Sequence, residues 1–192
     1  MFQNQLKIWE QSLEESLAIR QALISDDDFK DSFSKACELL LTCRIAGGTI
    51  YMAGNGGSAC DAMHFYEELV GRYSKERVGI KAQHLMDAGY LTCWTNDYNY
   101  ETVFSRQIET HCESKDLLIV LTTSGNSANI LKAIQAAKAK NVPVVLLTGK
   151  DGGKAKQVAS VSLVVPAERT DRIQEVHITL IHSFCEFLEQ DL

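Results

Sequence analysis

Proline is scarce in this 192-residue chain, with only Pro143 and Pro166, and no repeat, low-complexity segment or Pro- or Gly-rich linker interrupts it. That scarcity argues against tethered modules. The expectation is a single domain over residues 1–192, with a helical pair at 1–46 leading into an α/β core at 47–192. Apolar runs of about 18 to 20 residues are also missing, which excludes a membrane-spanning helix. Basic residues are not in excess: 19 Lys and Arg stand against 25 Asp and Glu, a formal charge of −6. Nucleic acid, which is held through its phosphates, is therefore not an expected partner. The six cysteines, Cys37, Cys43, Cys60, Cys93, Cys112 and Cys185, form no C-x-x-C pair, and Met1-Phe2-Gln3-Asn4 begins no secretory leader. Reduced thiols in a cytoplasmic protein are expected.

What is present is an alternation of strand-like and helix-like segments. Two amphipathic helices are predicted first, at about Gln3–Leu23 and Asp28–Ala46, the second closed by Gly47-Gly48. The stripe Leu6, Trp9, Leu13, Leu17, Ala18 on the first can bury against the chain's own core or against another subunit. Strands follow at Ile50–Ala53, Ala82–Leu85, Leu117–Leu121, Val142–Leu147 and Val161–Val165. Between and after them come helices at Ser58–Gly71, Ala88–Thr95, Glu101–His111, Ser127–Lys140 and Asp171–Glu189. Such alternation predicts an α/β fold, a mostly parallel sheet covered by helices in three layers, with ligands bound beyond the carboxyl ends of the strands.

Two loops carry the chemistry. After the strand ending at Ala53, Gly54, Gly56 and Gly57 allow a tight turn and close ligand approach, and Ser58 stands at the entrance of the next helix. Further along that helix His64 and Glu68 are four residues apart, on one face and suited to acid/base work or to a metal. After the strand ending at Leu121, Thr122, Thr123, Ser124 and Ser127 crowd another helix entrance, where hydroxyls, free N–H groups and the helix dipole favour a phosphate. A single Ser-rich loop reads first as an N-cap, here Ser127, with turn residues around it; the density of hydroxyls in this run shifts the reading toward a ligand loop. On the last helix Gln174 and His182 are eight residues apart and share one face, whereas His177 reads as a core residue. The Lys150–Lys154 loop reads as a turn with solvated charge.

These two units resemble the sugar isomerase (SIS) domain, whose Ser/Thr-rich loops hold the phosphate of a phosphosugar. GNGGSACDAMHFYEELVGRY, SRQIE, TTSGNSANILKAI, LTGKDGGK and DRIQEVHI stand in the order found in the phosphoheptose isomerases, over nearly all of the chain after Gly47. The resemblance implies aldose–ketose isomerisation of sedoheptulose 7-phosphate to D-glycero-D-manno-heptose 7-phosphate, toward the heptose of lipopolysaccharide or another surface polysaccharide. It implies Glu68 as base, His182 as its acid partner, and one zinc per subunit held by His64, Glu68, Gln174 and His182. It also implies substrate contacts from Asn55, Gly56, Gly57, Ser58, Arg72, Asn96, Asp97, Thr122, Thr123, Ser124, Ser127, Asp171 and Gln174. A homotetramer is implied too, its N-terminal helices used in assembly and its active sites near subunit boundaries.

Each polar contact has a plainer reading. Arg72 can cap its own helix, Asp97 can close an Asx-turn and Asp171 can be an N-cap. The chain also departs from the family pattern: Thr95 and Asn99 stand where glycine is usual, Thr122 where serine is, and Trp94 adds bulk beside an expected substrate loop. The alternatives are a non-catalytic SIS module that binds a protein such as the replication initiator, or a paralogous isomerase for a different phosphosugar. Those binding modules lack the acid/base set that His64, Glu68 and His182 supply here.

Overall fold

Among the described residues five strands lie side by side in a sheet: β1 (Ile50–Gly54), β2 (Ala82–His84), β3 (Leu117–Thr122), β4 (Val144–Gly149) and β5 (Val161–Val165); all but the short edge strand β2, Ala-Gln-His, are mainly apolar. Their order is β2-β1-β3-β4-β5 and every pairing is parallel. Strands β1, β3 and β4 are buried along their whole length, the expected environment for near-continuous apolar runs covered on both faces. This is a computed structural model, and it describes residues 2–190. Met1, Asp191 and Leu192, which the 1–192 domain expectation includes, lie outside the described residues.

Among the described residues there are seven α-helices around the sheet: α1 (Phe2–Ile24), α2 (Asp27–Ile45), α3 (Gly57–Val70), α4 (Ala88–Asp97), α5 (Ser105–His111), α6 (Ala128–Ala139) and α7 (Thr170–Gln190); α1 packs on α2 and α7. Local chemistry explains where boundaries differ from the sequence reading. The helix expected at Glu101–His111 divides into a 3-10 turn at Tyr100–Thr102 and α5, because Asn99 Oδ1 accepts from Thr102 N at 3.0 Å and closes a local turn. Strand β4 begins at Val144, not Val142. Asn141 ends α6 with φ 59° and Val142 N–H donates back to Ala137 O at 2.9 Å, so that donor belongs to the helix end, and Pro143 has none to give the sheet.

The buried residues form one hydrophobic cluster between sheet and helices. Helix α7 contributes Ile173, Val176, Leu180, Ile181, Phe184 and Leu188 to it, and buries His177 alongside them. Helix α1 is different. Its polar side meets the body through Glu15 to Arg169 at 2.9 Å and Ser16 to Glu175 at 2.8 Å. Leu6, Trp9, Leu13 and Leu17 stay 58%, 60%, 52% and 57% exposed. The apolar stripe therefore does not pack on the chain's own core. Among the described residues no helix is long and apolar enough to cross a membrane, and all six cysteines are unpaired.

The strand order places a topological switch between β1 and β3, whose outgoing chains diverge to α3 and α6. In open α/β sheets the crevice at such a point is where ligands bind. Ile50 pairs with Leu117 and Gly54 with Leu121, so both strands finish level and their two loops open side by side.

Candidate active site

The loop after β1 is shaped by glycine. Gly56 has φ +57°, which favours glycine, and a Cβ on Gly57 would fall 2.6 Å from Gln174 Nε2, so a side chain there would displace the Gln174 amide from the turn. Ser58 is buried and its hydroxyl lies 3.5 Å from Gln174 Nε2. Asn55 ties the two loops together. Its Nδ2 donates to Asn129 Oδ1 at 3.0 Å, and its Oδ1 accepts from Asn129 Nδ2 at 2.8 Å and from the Tyr100 hydroxyl at 2.7 Å.

In the second loop Ser127 stands at the N-cap position of α6 but makes no capping hydrogen bond with its side chain. Its hydroxyl lies 3.5 Å from Thr122 Oγ1. Ser124 Oγ accepts from Asn126 N at 3.2 Å, and Thr123 Oγ1 lies 3.4 Å from Thr170 Oγ1. The Thr122 and Ser127 hydroxyls thus face each other at the N-terminus of α6, where an anion gains from donors and dipole together.

Helices α3 and α7 run parallel, and their packing assembles the second half of the site. His64 Nε2 lies 3.3 Å from Glu68 Oε1 and 3.8 Å from Glu67 Oε1. The His182 ring meets His64 edge-on with centroids 5.2 Å apart. Donor atoms of His64, Glu68 and His182 all lie within 4.8 Å of one another, each on a half-buried side chain. Two imidazole nitrogens and a carboxylate oxygen at this spacing suit a divalent ion such as zinc with a coordination position left open. The Gln174 amide lies against Gly57 and Ser58, about two turns before His182 on α7.

Asp61, one turn before His64, was not singled out from the sequence. Its Oδ2 is buried without a hydrogen-bond partner, and burial pushes its carboxyl up to about 6 while His64 pulls the other way.

The remaining expected contacts are spread around these loops. Arg72 lies beyond the end of α3, exposed, 4.0 Å from Glu76. The carbonyls that its plainer reading would have it cap are taken by Arg77, which donates to Glu68 O at 2.6 Å and Leu69 O at 2.9 Å. Asn96 and Asp97 close α4, exposed, with Asn96 Nδ2 donating to Asp97 Oδ1 at 2.9 Å. Asp97 therefore ends a helix instead of making an Asx-turn. Asp171 is inside the first turn of α7, which starts at Thr170, so it is not the N-cap; it pairs with Arg169 at 2.6 Å. Asn129, Tyr100, Tyr73, Arg77 and Glu189 support the site and escaped the sequence reading, because their partners are distant in the chain and no local spacing marks them.

The pattern of the SIS domain matches residues 14–149. The phosphoheptose isomerase of Cytophaga hutchinsonii is 45% identical over 181 residues, 94% of this chain and 95% of that protein. The chain belongs to the phosphoheptose isomerase family. Another member, from Serratia proteamaculans, is 48% identical over 170 residues, 88% of each chain. The solved structure of the Neisseria gonorrhoeae phosphoheptose isomerase superposes with a TM-score of 0.89 at 37% identity, over 96% of this chain and 98% of that one.

Against the family pattern, Trp94 was expected to crowd a substrate loop. Its indole instead stacks on Tyr98 with centroids 4.2 Å apart and donates through Nε1 to Thr102 Oγ1 at 2.9 Å, so the added bulk is absorbed by an aromatic stack on α4. Asn99 at a usual glycine position caps the 3-10 turn through its side chain. Thr122 in place of serine keeps its hydroxyl turned to Ser127.

Proposed function

We propose that this chain is a phosphoheptose isomerase, interconverting sedoheptulose 7-phosphate and D-glycero-D-manno-heptose 7-phosphate as a single SIS domain over residues 1–192. The observation that carries the proposal is the convergence of His64, Glu68 and His182 in a chain that also has a hydroxyl-lined helix entrance suited to an anion. A scaffold that only binds a partner has no need of such a set.

The ester phosphate is assigned to Thr122, Thr123, Ser124 and Ser127, and the sugar hydroxyls to Asn55, Gly56, Gly57, Ser58, Asn96, Asp97, Asp171 and Gln174, with Arg72 offering charge at the mouth. In the ketose-to-aldose direction Glu68 removes a proton from C1, and the enediol forms as His182 protonates the C2 oxygen. Glu68 then returns the proton to C2 while the C1 hydroxyl gives its proton back to His182, which leaves an aldehyde and restores both groups. Positioned proton transfer of this kind contributes about 10²- to 10⁴-fold each. Glu68 meets His64 through Oε1, which leaves Oε2 for the substrate.

His64, Glu68 and His182 fit zinc by donor type and spacing, and a bound zinc would supply Lewis-acid polarisation of the sugar oxygens. Gln174, on the same helix as His182, is the fourth ligand in this reading. The exposed α1 stripe supports a homotetramer that completes each pocket.

Incubating the protein with sedoheptulose 7-phosphate and following aldose formation tests the function, with hexose phosphates as competitors. Turnover of the heptose ester is expected. Binding without turnover supports the non-catalytic reading, and faster turnover of a hexose ester supports a paralogous isomerase.

A further inference from the structure

Arg77 and Glu189 form an ion pair of unusual burial: their side chains are 3% and 2% exposed, and Nε to Oε1 is 3.0 Å. Each carboxylate oxygen is filled twice. Oε1 accepts from Tyr73 N at 3.1 Å and from Arg77 Nε, while Oε2 accepts from Ser74 N at 3.0 Å and Lys75 N at 2.9 Å. Burial alone raises the Glu189 carboxyl, but these donors outweigh it and hold the group below its ordinary value. The guanidinium turns to the end of α3, where Nη2 donates to Glu68 O at 2.6 Å and Nη1 to Leu69 O at 2.9 Å.

A buried ion pair is a poor route to stability, since apolar residues of similar volume often do as well or better. Its consequence here is geometric. The last carbonyls of a helix have no intrahelical partner and the last turn frays, and Glu68 stands in the final turn of α3. Arg77 ties that turn down, and Glu189, two turns beyond His182 on α7, holds Arg77. Between them the Tyr73 backbone is bonded to Glu189 while its ring lies against His182, centroids 5.6 Å apart.

We propose that the Arg77–Glu189 pair is a positioning device for the isomerisation, locking the end of α3 to α7 so that Glu68 and His182 face the sugar at a fixed separation. Neither residue touches substrate. The proposal rests on the isomerase reading for the roles of Glu68 and His182, but the geometry it asserts can be read without turnover.

The test compares wild type with Glu189→Gln, which keeps the shape and removes the charge, and with the double variant Arg77→Met/Glu189→Leu, which leaves no unpaired buried charge and guards against simple misfolding. Circular dichroism and thermal melting establish the temperature range in which each is folded. Within it kcat and KM for sedoheptulose 7-phosphate are measured, together with the ε1 imidazole NMR signals of His182, assigned by its loss in His182→Gln, and of buried His177 as reference. The expected result is a kcat lower by about tenfold or more with KM within about twofold, and a displaced His182 signal beside an unmoved His177 signal. Wild-type kcat and an unmoved His182 signal in a folded variant would overturn the proposal, as would failure of both variants to fold, which makes the pair structural. No turnover even in wild type, with the His182 signal still displaced in the variants, would sink the isomerase reading while upholding the clamp.

Discussion

His64 on α3 and His182 on α7 meet edge-on, ring centroids 5.2 Å apart with the planes at 75°. The contact exists because the two helices are parallel and in register along their packed faces, where Phe65 lies 6.2 Å from Phe184 between ring centroids. A histidine-bearing face from one helix and a single histidine from another thus become one cluster with Glu68, and the chemistry predicted for the chain depends on that cluster.

Glu68→Gln should abolish turnover, lowering kcat by about 10²-fold or more, and leave substrate affinity largely intact, since the amide keeps the shape but accepts no proton. Steady-state kinetics and calorimetric binding of the sugar phosphate check this, and near-normal turnover removes Glu68 from the base role.

Ser124→Ala should act on affinity. One hydrogen bond to a charged phosphate is worth about 1.5–3 kcal/mol, or roughly tenfold to a hundredfold in KM. Unchanged KM would contradict the placement of phosphate in this loop.

Stripping the protein with a chelator should remove activity, and added zinc should restore it, with His64→Ala failing to recover. Metal analysis on protein purified without chelator or supplement gives the occupancy. Full activity at zero metal would reject the assignment of His64, Glu68 and His182 as ligands.

His177 should make stability depend on pH in acid. Burial pushes its imidazole down to about 4, with Nε2 3.2 Å from Thr148 O. The folded value lies below the unfolded one of about 6.5, so the unfolded chain binds the proton first and stability falls as pH drops from about 6.5 to about 4, by up to about 3 kcal/mol. Asp61, pushed up to about 6, runs in the opposite sense over part of that window. The readout is therefore the difference between wild type and His177→Gln in urea midpoints across the range: the variant's profile should be flatter, and identical slopes would contradict the prediction.

Trp9→Glu combined with Leu13→Glu should break the proposed tetramer into smaller species while each chain stays folded, because both residues are exposed on α1 and charge there is costly only against another subunit. Light scattering after gel filtration measures the mass. An unchanged tetramer places the interface elsewhere, and a monomeric wild type removes the tetramer altogether.

Local order in the chain was legible. Continuous apolar runs marked the central strands, the glycines after Ala53 and the hydroxyls after Leu121 marked the ligand loops, and the four-residue spacing of His64 and Glu68 marked a functional face. His182 was reached only through its resemblance to a family, since a lone histidine on an amphipathic helix is ordinarily a core residue, as His177 proved to be. From the sequence Arg72 reads as a substrate contact with helix capping as its plainer alternative, and it is Arg77 that does the capping; which of two nearby arginines turns back depends on the distant Glu189.

By itself the sequence determined the alternation of elements, the composition of the loops and the side chains shared by each helix face, because these follow from backbone periodicity and residue chemistry within a few positions. The tertiary structure alone decided that α3 and α7 lie parallel, that Asn55 reaches Asn129, that Glu189 seizes Arg77, and that the α1 stripe is left uncovered. Those pairings are between residues far apart along the chain, and they are selected by packing over the whole core, which no local spacing encodes.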